Sequence, residues 1–319
     1  MSVLVGVIVT LGMLVIVPMG LRLMDLPGLA RLSRMWPLFA VPGAVCLWLP
    51  RGLPAGALAG CYALGTVLLA LHIPRRLLRT AGAGRSSPGG RDRRHPAEPP
   101  ASALPPAAAP APAVPPAATL SPAAPPPAVP PAADVAVLTA LAGPAIAALA
   151  LVAERLGHGL FGFDLEILAL TVPHFHFAGF AAALVAGLVC RTVDRPAARF
   201  AAYSVPAGTL LVLLGYFLDD WVELAGTLVL TAGMWTVARL TWREIARAQD
   251  DPATRALLAV SAAVLVATML LAVSWALGEA TGLPHPTLTW MAATHGLGNA
   301  LGFALCSVLA WRRLKETPA

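Results

Sequence analysis

Charged residues are scarce in this chain. Asp, Glu, Lys and Arg make up 12% of its 319 residues, about half the share usual in a soluble domain, and the mean hydropathy is +0.75. Cysteine is rare too. Cys46, Cys61, Cys190 and Cys306 form no CxxC and lie in or beside apolar stretches, which argues against a disulfide framework or zinc finger and reads them as small buried hydrophobes. Also missing are a GxxxxGK[ST] phosphate loop, a Rossmann glycine fingerprint, a GxSxG nucleophile elbow and an HExxH spacing. The chain itself is therefore read as neither an ATPase nor a nicotinamide enzyme, and a nucleophilic hydrolase is disfavoured. No basic start or small-residue cleavage site marks the first apolar run, and Arg22 is the first basic residue after it. That run reads as a retained span.

What is present is apolar length. Runs near the roughly 20 residues needed to cross hydrocarbon recur, without the alternation of a β-barrel. The expected fold is an all-α polytopic transmembrane bundle of about nine spans. They fall near 3–23, 36–49, 53–73, 135–152, 165–190, 200–218, 221–240, 256–277 and 287–311. The second is short and contains Pro42 and Gly43, so it reads as re-entrant or tilted.

Between the third and fourth spans the composition changes. Residues 75–94 are basic and Gly/Ser-rich, and 95–133 are almost entirely Pro and Ala. Such a stretch cannot bury a core and favours extended polyproline II. It is expected to be a disordered cytoplasmic linker, and it is where a protein partner could dock. Three parts follow: an N-terminal three-span segment 1–74, the linker 75–133 and a six-span domain 134–319.

A net charge of +6 and a pI near 9.8 could suggest nucleic acid, but the basic residues sit in short loops at span ends rather than on one face. Arg75, Arg76 and Arg79, then Arg191, Arg195 and Arg199, then Arg239, Arg243, Arg247 and Arg255, then Arg312, Arg313 and Lys315 all fall on one side. The alternate loops carry Glu154, Asp164 and Glu166, then Asp219, Asp220 and Glu223, then Glu279. The positive-inside rule then puts the N-terminus outside and the C-terminus in the cytoplasm.

Two places inside apolar runs are polar. Leu170-Thr-Val-Pro-His-Phe-His-Phe-Ala-Gly-Phe180 carries His174 and His176; Trp290-Met-Ala-Ala-Thr-His-Gly-Leu-Gly-Asn299 carries His295 and Asn299. Ionisable groups at membrane depth tend to face the protein interior and to serve a purpose. His174 and His295 are expected at matching depth, roughly 12–14 Å below the outer end of their spans, with Asn299 one turn below His295 on the same face. His174 and His176 point about 200° apart on a regular helix. One would then face the site while the other bonds a neighbouring helix, unless Pro173 unwinds the turn. Asp219, Asp220 and Glu223, with Glu279 and His285, are placed around an outer vestibule. Gly298 and Gly302 form a GxxxG read as helix packing, as is Gly179. Three readings of the histidines stay open: interior hydrogen bonds for assembly, a metal or haem held by His174, His176 and His295, or a polar pocket handling protons, cations or a small solute.

The two motifs, Thr171–Phe180 and His295–Phe303, resemble the paired motifs of the YndJ-like bacterial membrane proteins, over roughly residues 135–311. The resemblance implies a multi-pass protein of the bacterial plasma membrane whose activity is uncharacterised, in a family whose members are sometimes labelled transporters. Its signature positions here would be His174, His176, Gly179, Phe180, His295, Gly296, Asn299, Gly302 and Phe303. No established catalytic role comes with them.

Overall fold

The computed structural model describes residues 2–74, 76–77 and 131–316. Among these no strand forms, and the one bridge joins Leu160 to Phe163. The chain divides into two compact units, Met1–Arg75 with Val129–Ala319, and Arg76–Ala128. The second unit, which contains most of the expected linker, lies almost wholly outside the described residues. The linker's last residues, 131–133, are the first turn of a long helix.

Among the described residues, eight helices are long and apolar enough to cross a membrane. They are α1 (Val3–Leu23), α4 (Leu53–Pro74), α5 (Pro131–Leu156), α6 (Leu165–Thr192), α7 (Pro196–Gly215), α8 (Asp220–Ala248), α9 (Pro252–Thr281) and α10 (Leu288–Glu316). Two short helices, α2 (Leu29–Met35) and α3 (Pro37–Cys46), lie between the first two. Large apolar side chains such as Val41, Leu64, Leu149, Leu210, Leu228 and Leu270 are exposed, as lipid-facing positions should be. This is a multi-pass membrane protein.

The short second span was expected at 36–49 and is instead assembled from α2 and α3 in tandem. Pro37 has no N–H to continue the α2 ladder, so the helix breaks at Trp36. Ser33 donates to the Pro18 carbonyl, the Trp36 indole to the Met13 carbonyl, and Trp48 packs beside Gly6. The pair, with the turn that follows it, therefore runs back along α1, its 18 residues spanning about 27 Å. The described residues thus form eight long helices plus this broken traverse.

Contacts at the helix ends define two opposite faces. At one, Gly52 N–H donates to the Arg155 carbonyl and Phe163 packs on Phe217 with centroids 5.0 Å apart. At the other, Arg191 reaches the Met24 carbonyl, and Lys315 bonds the Arg22 carbonyl and Asp25. The described residues start at the first face and end at the second. Asp164, Asp219, Asp220 and Glu279 stand at helix ends of the first face; Arg191, Arg195, Arg247, Arg255 and Arg313 stand at or beside helix ends of the second, where Arg195 pairs with Glu244 and Arg313 with Asp251.

Glu154, expected in a loop, instead lies in the last turn of α5 and is fully buried. It pairs with Arg155 and with Arg51 at 2.9 Å, while the Arg155 guanidinium also approaches the carbonyls of Cys46, Leu47 and Leu49 at 3.4 Å. Those carbonyls lie at and just beyond the end of α3, where a helix leaves its last carbonyls without intrahelical partners. The cluster ties the N-terminal helices to α5, so the N-terminal segment and the later six spans pack as one unit.

Candidate functional site

Among the described residues four helices contain π-helical winding, with i→i+5 bonding; one stretch, Thr241–Ile245, lies near the end of α8, and the others meet at one place in the bundle. Those others are Gly12–Ile16 in α1, Phe175–Ala182 in α6, and Ala292–Gly296 and Gly298–Leu305 in α10. The α1, α6 and α10 stretches pack against one another. Such windings are rare and often mark functional positions, because each inserts a residue that re-aims the side chains around it. Both histidine motifs lie at or within them.

Beside this junction lies a cavity of about 560 Å³ walled by α1, α6, α7, α8, α9 and α10. Most of its lining is apolar: Ile8, Phe163, Phe177, Leu230, Met234, Trp275 and Phe303 contribute. At the acidic face it is ringed by Asp219, Asp220, Glu223 and Glu279, and deeper it is lined by His174, His295, Asn299, Tyr216 and Thr227. Along α8 it runs from Asp220 to Met234, about 20 Å of helix. Asp219 caps α8 by accepting from Val222 N–H at 2.9 Å. Glu279 pairs with His285 at 3.0 Å.

His174, one residue past Pro173, turns into the cavity and stands against Tyr216 with ring centroids 6.3 Å apart. Its Nε2 is buried without a hydrogen-bond partner. His295 is held on both sides. Its Nδ1–H donates to the Thr268 carbonyl of α9 at 2.8 Å, and its Nε2 accepts from the Asn299 amide at 3.1 Å. Asn299 in turn accepts from the Thr268 hydroxyl at 2.8 Å. The network assigns His295 the neutral Nδ1–H tautomer.

His176 does not reach this cavity. It is fully buried on the other side of α6, with Nδ1–H donating to the Val172 carbonyl at 2.7 Å and Nε2 accepting from the Tyr62 hydroxyl at 2.6 Å. Gly12 leaves the room for it: a Cβ there would sit 3.1 Å from the imidazole. The three-histidine metal set thus divides. Among the described residues no three His, Cys, Asp or Glu side chains come together as a metal site would need.

The glycines sit at helix crossings. Gly179 meets Gly143 of α5 backbone to backbone, and Gly298 and Gly302 face Thr268 and Val264 of α9. Tyr62, Thr268 and Gly143 were not singled out from the sequence. One signal was available, since the chain has only three tyrosines and two of them, Tyr62 and Tyr216, stand beside motif histidines.

A family model described as YndJ-like protein matches residues 7–303. The chain belongs to the YndJ-like family. The match begins in α1 and not near residue 135, where the motif resemblance started, which accords with α1 supplying Ile8 to the cavity wall. No curated protein and no solved structure matches it.

Proposed function

We propose that this YndJ-like protein binds a small cation with an apolar body in the cavity, and transports or senses it at the bacterial plasma membrane. One observation carries the reading: a mostly apolar cavity has four carboxylates at one end and two imidazoles and an amide deeper in. Its volume lies within the roughly 300–1,000 Å³ of small-molecule sites. Carboxylates lining a low-dielectric cleft concentrate cations and repel anions, and the lining includes the aromatic rings of Trp275, Tyr216 and Phe163, a residue type that attracts cationic groups. By the positive-inside rule the Arg-rich face is cytoplasmic, so the cavity opens outward, with the N-terminus outside and the C-terminus inside. The Pro/Ala segment then lies in the cytoplasm, available to a protein partner.

The test uses full-length protein in lipid nanodiscs and calorimetric titration with tetraethylammonium, phenethylammonium and benzoate. The two cations should bind and benzoate should not, and Glu223→Gln should weaken the cations by about tenfold, equivalent to about 1.4 kcal/mol. Equal binding of benzoate, or no cation binding by a folded preparation, rejects the proposal.

A further inference from the structure

The Thr268, Asn299 and His295 side chains are linked in a way that supports two complete hydrogen-bond arrangements. In the one observed, the Thr268 hydroxyl donates to Asn299 Oδ1, the Asn299 amide donates to His295 Nε2, and His295 Nδ1–H donates to the Thr268 carbonyl. The Leu265 carbonyl stands 3.3 Å from the same Thr268 hydroxyl as a second acceptor. A half-turn of the Asn299 amide therefore gives another closed set. Oδ1 then accepts from a protonated Nε2, the amide N–H donates to Thr268 Oγ1, and the Thr268 hydroxyl turns to Leu265. The Nδ1–H bond to the Thr268 carbonyl persists. Each of these bonded groups keeps a partner in both forms, so the network accommodates either charge state without stranding a polar atom.

We propose that this triad is a proton relay, and that a proton on His295 and a small organic cation in the cavity exclude one another, so that the protein exchanges the cation for a proton. This rests on the cation-binding reading above. The proton comes from water at the acidic mouth, adds to the Nε2 lone pair of His295, and returns by the same route when a cation enters. His295 lines the same cavity as the proposed ligand, and two positive charges in one low-dielectric space repel strongly. Other titratable groups face that space. They are His174 on α6, Tyr216 at the end of α7, Asp219 and Asp220 with Glu223 at the start of α8, and Glu279 on α9; α1 presents only Val5 and Ile8. The carboxylates favour whichever cation is present, and His174 disfavours a second one. The triad is what gives the proton its own seat.

The experiment follows ¹⁵N-histidine NMR signals of the full-length protein in nanodiscs from about pH 8 to about pH 5, the range in which histidine changes charge. Tetraethylammonium affinity is measured alongside, because the charge of that probe does not change with pH. His295 Nε2 should pass from bare acceptor to N–H as pH falls, and affinity should drop by about tenfold over the same interval. Thr268→Val removes the hydroxyl that Asn299 bonds in both arrangements, so both transitions should shift together and by the same amount; Thr268→Ser should restore them. If tetraethylammonium binds but His295 keeps one neutral tautomer throughout, the relay is overturned and cation binding stands. If affinity falls with the carboxylates and Thr268→Val leaves the profile unchanged, the relay is likewise overturned. If His295 titrates but no cation binds at any pH, exchange is overturned together with the cation-binding reading.

Discussion

The Tyr62 hydroxyl donates to His176 Nε2 across 2.6 Å, with the two rings stacked 5.8 Å apart, between α4 and α6. Two signature histidines separated by a single residue thus have different occupations. His174 faces the cavity, while His176 joins the N-terminal helices to the rest of the bundle. Tyr62→Phe strands a buried imidazole acceptor, which costs about 1–3 kcal/mol in water-soluble proteins and nearer ~0.6 kcal/mol in the membrane cases measured. A loss of about 1 kcal/mol in reversible unfolding is expected, with cation affinity in the cavity unchanged. Lost affinity at full stability would show that His176 acts in the cavity after all.

Arg155 and Arg51 both hold Glu154, but unequally. Arg155 is 4% exposed and Arg51 42%. Removing one partner of a buried pair costs about 3–5 kcal/mol, whereas an exposed partner contributes about 0–1 kcal/mol. Arg155→Met should therefore unfold the protein at markedly lower temperature and loosen the end of α3, and Arg51→Met should shift the midpoint little. Similar effects from both would mean that α3 does not depend on the Arg155 guanidinium.

Asp251 lies outside the spans, where it caps α9. Its carboxylate accepts from the Thr254 hydroxyl at 2.5 Å and the Thr254 N–H at 2.9 Å, and pairs with Arg313 at 3.1 Å. The Thr254 hydroxyl is the largest influence holding its pKa down, to about 2. A depressed acid contributes stability above its unfolded value of about 3.9, and that contribution fades as pH falls towards about 2. Carboxyl ¹³C titration should find Asp251 still ionised where the other exposed acids have protonated. Thr254→Val should raise its midpoint more than Arg313→Gln does; the reverse order would make the ion pair the principal cause.

Membrane class, the two charged faces and the two histidine motifs could be read from the sequence because each depends on local composition or on i, i+4 spacing. His295 and Asn299 share a face for that reason. The partners could not be read. Tyr62 is 114 residues from His176, and periodicity carries no information about which helices touch. The broken traverse escaped because Arg31, Arg34 and Ser33 lower the hydropathy of α2, although Pro37 marks the break. Glu154 looked like a loop acid because charge at a span end is usually solvated, and only the carbonyls ending α3 explain its burial with Arg155. Local propensity also gave no sign of the π windings.

The indole of Trp36 gives a π winding a direct test. In Gly12–Ile16 the Val17 N–H bonds back five residues to the Gly12 carbonyl. The Met13 carbonyl would then take the N–H of residue 18, but that residue is proline and has none. Trp36 Nε1–H fills the vacancy at 2.8 Å, fully buried. Trp36→Phe should strand that carbonyl and cost about 1–3 kcal/mol beyond the lost packing. Pro18→Ala supplies the missing N–H, so Trp36→Phe should cost less in its background. A double-mutant cycle read by reversible unfolding should show coupling of about 0.5–1.5 kcal/mol in that direction. Simple additivity would mean that the Met13 carbonyl finds another donor and that Trp36 acts there through packing alone.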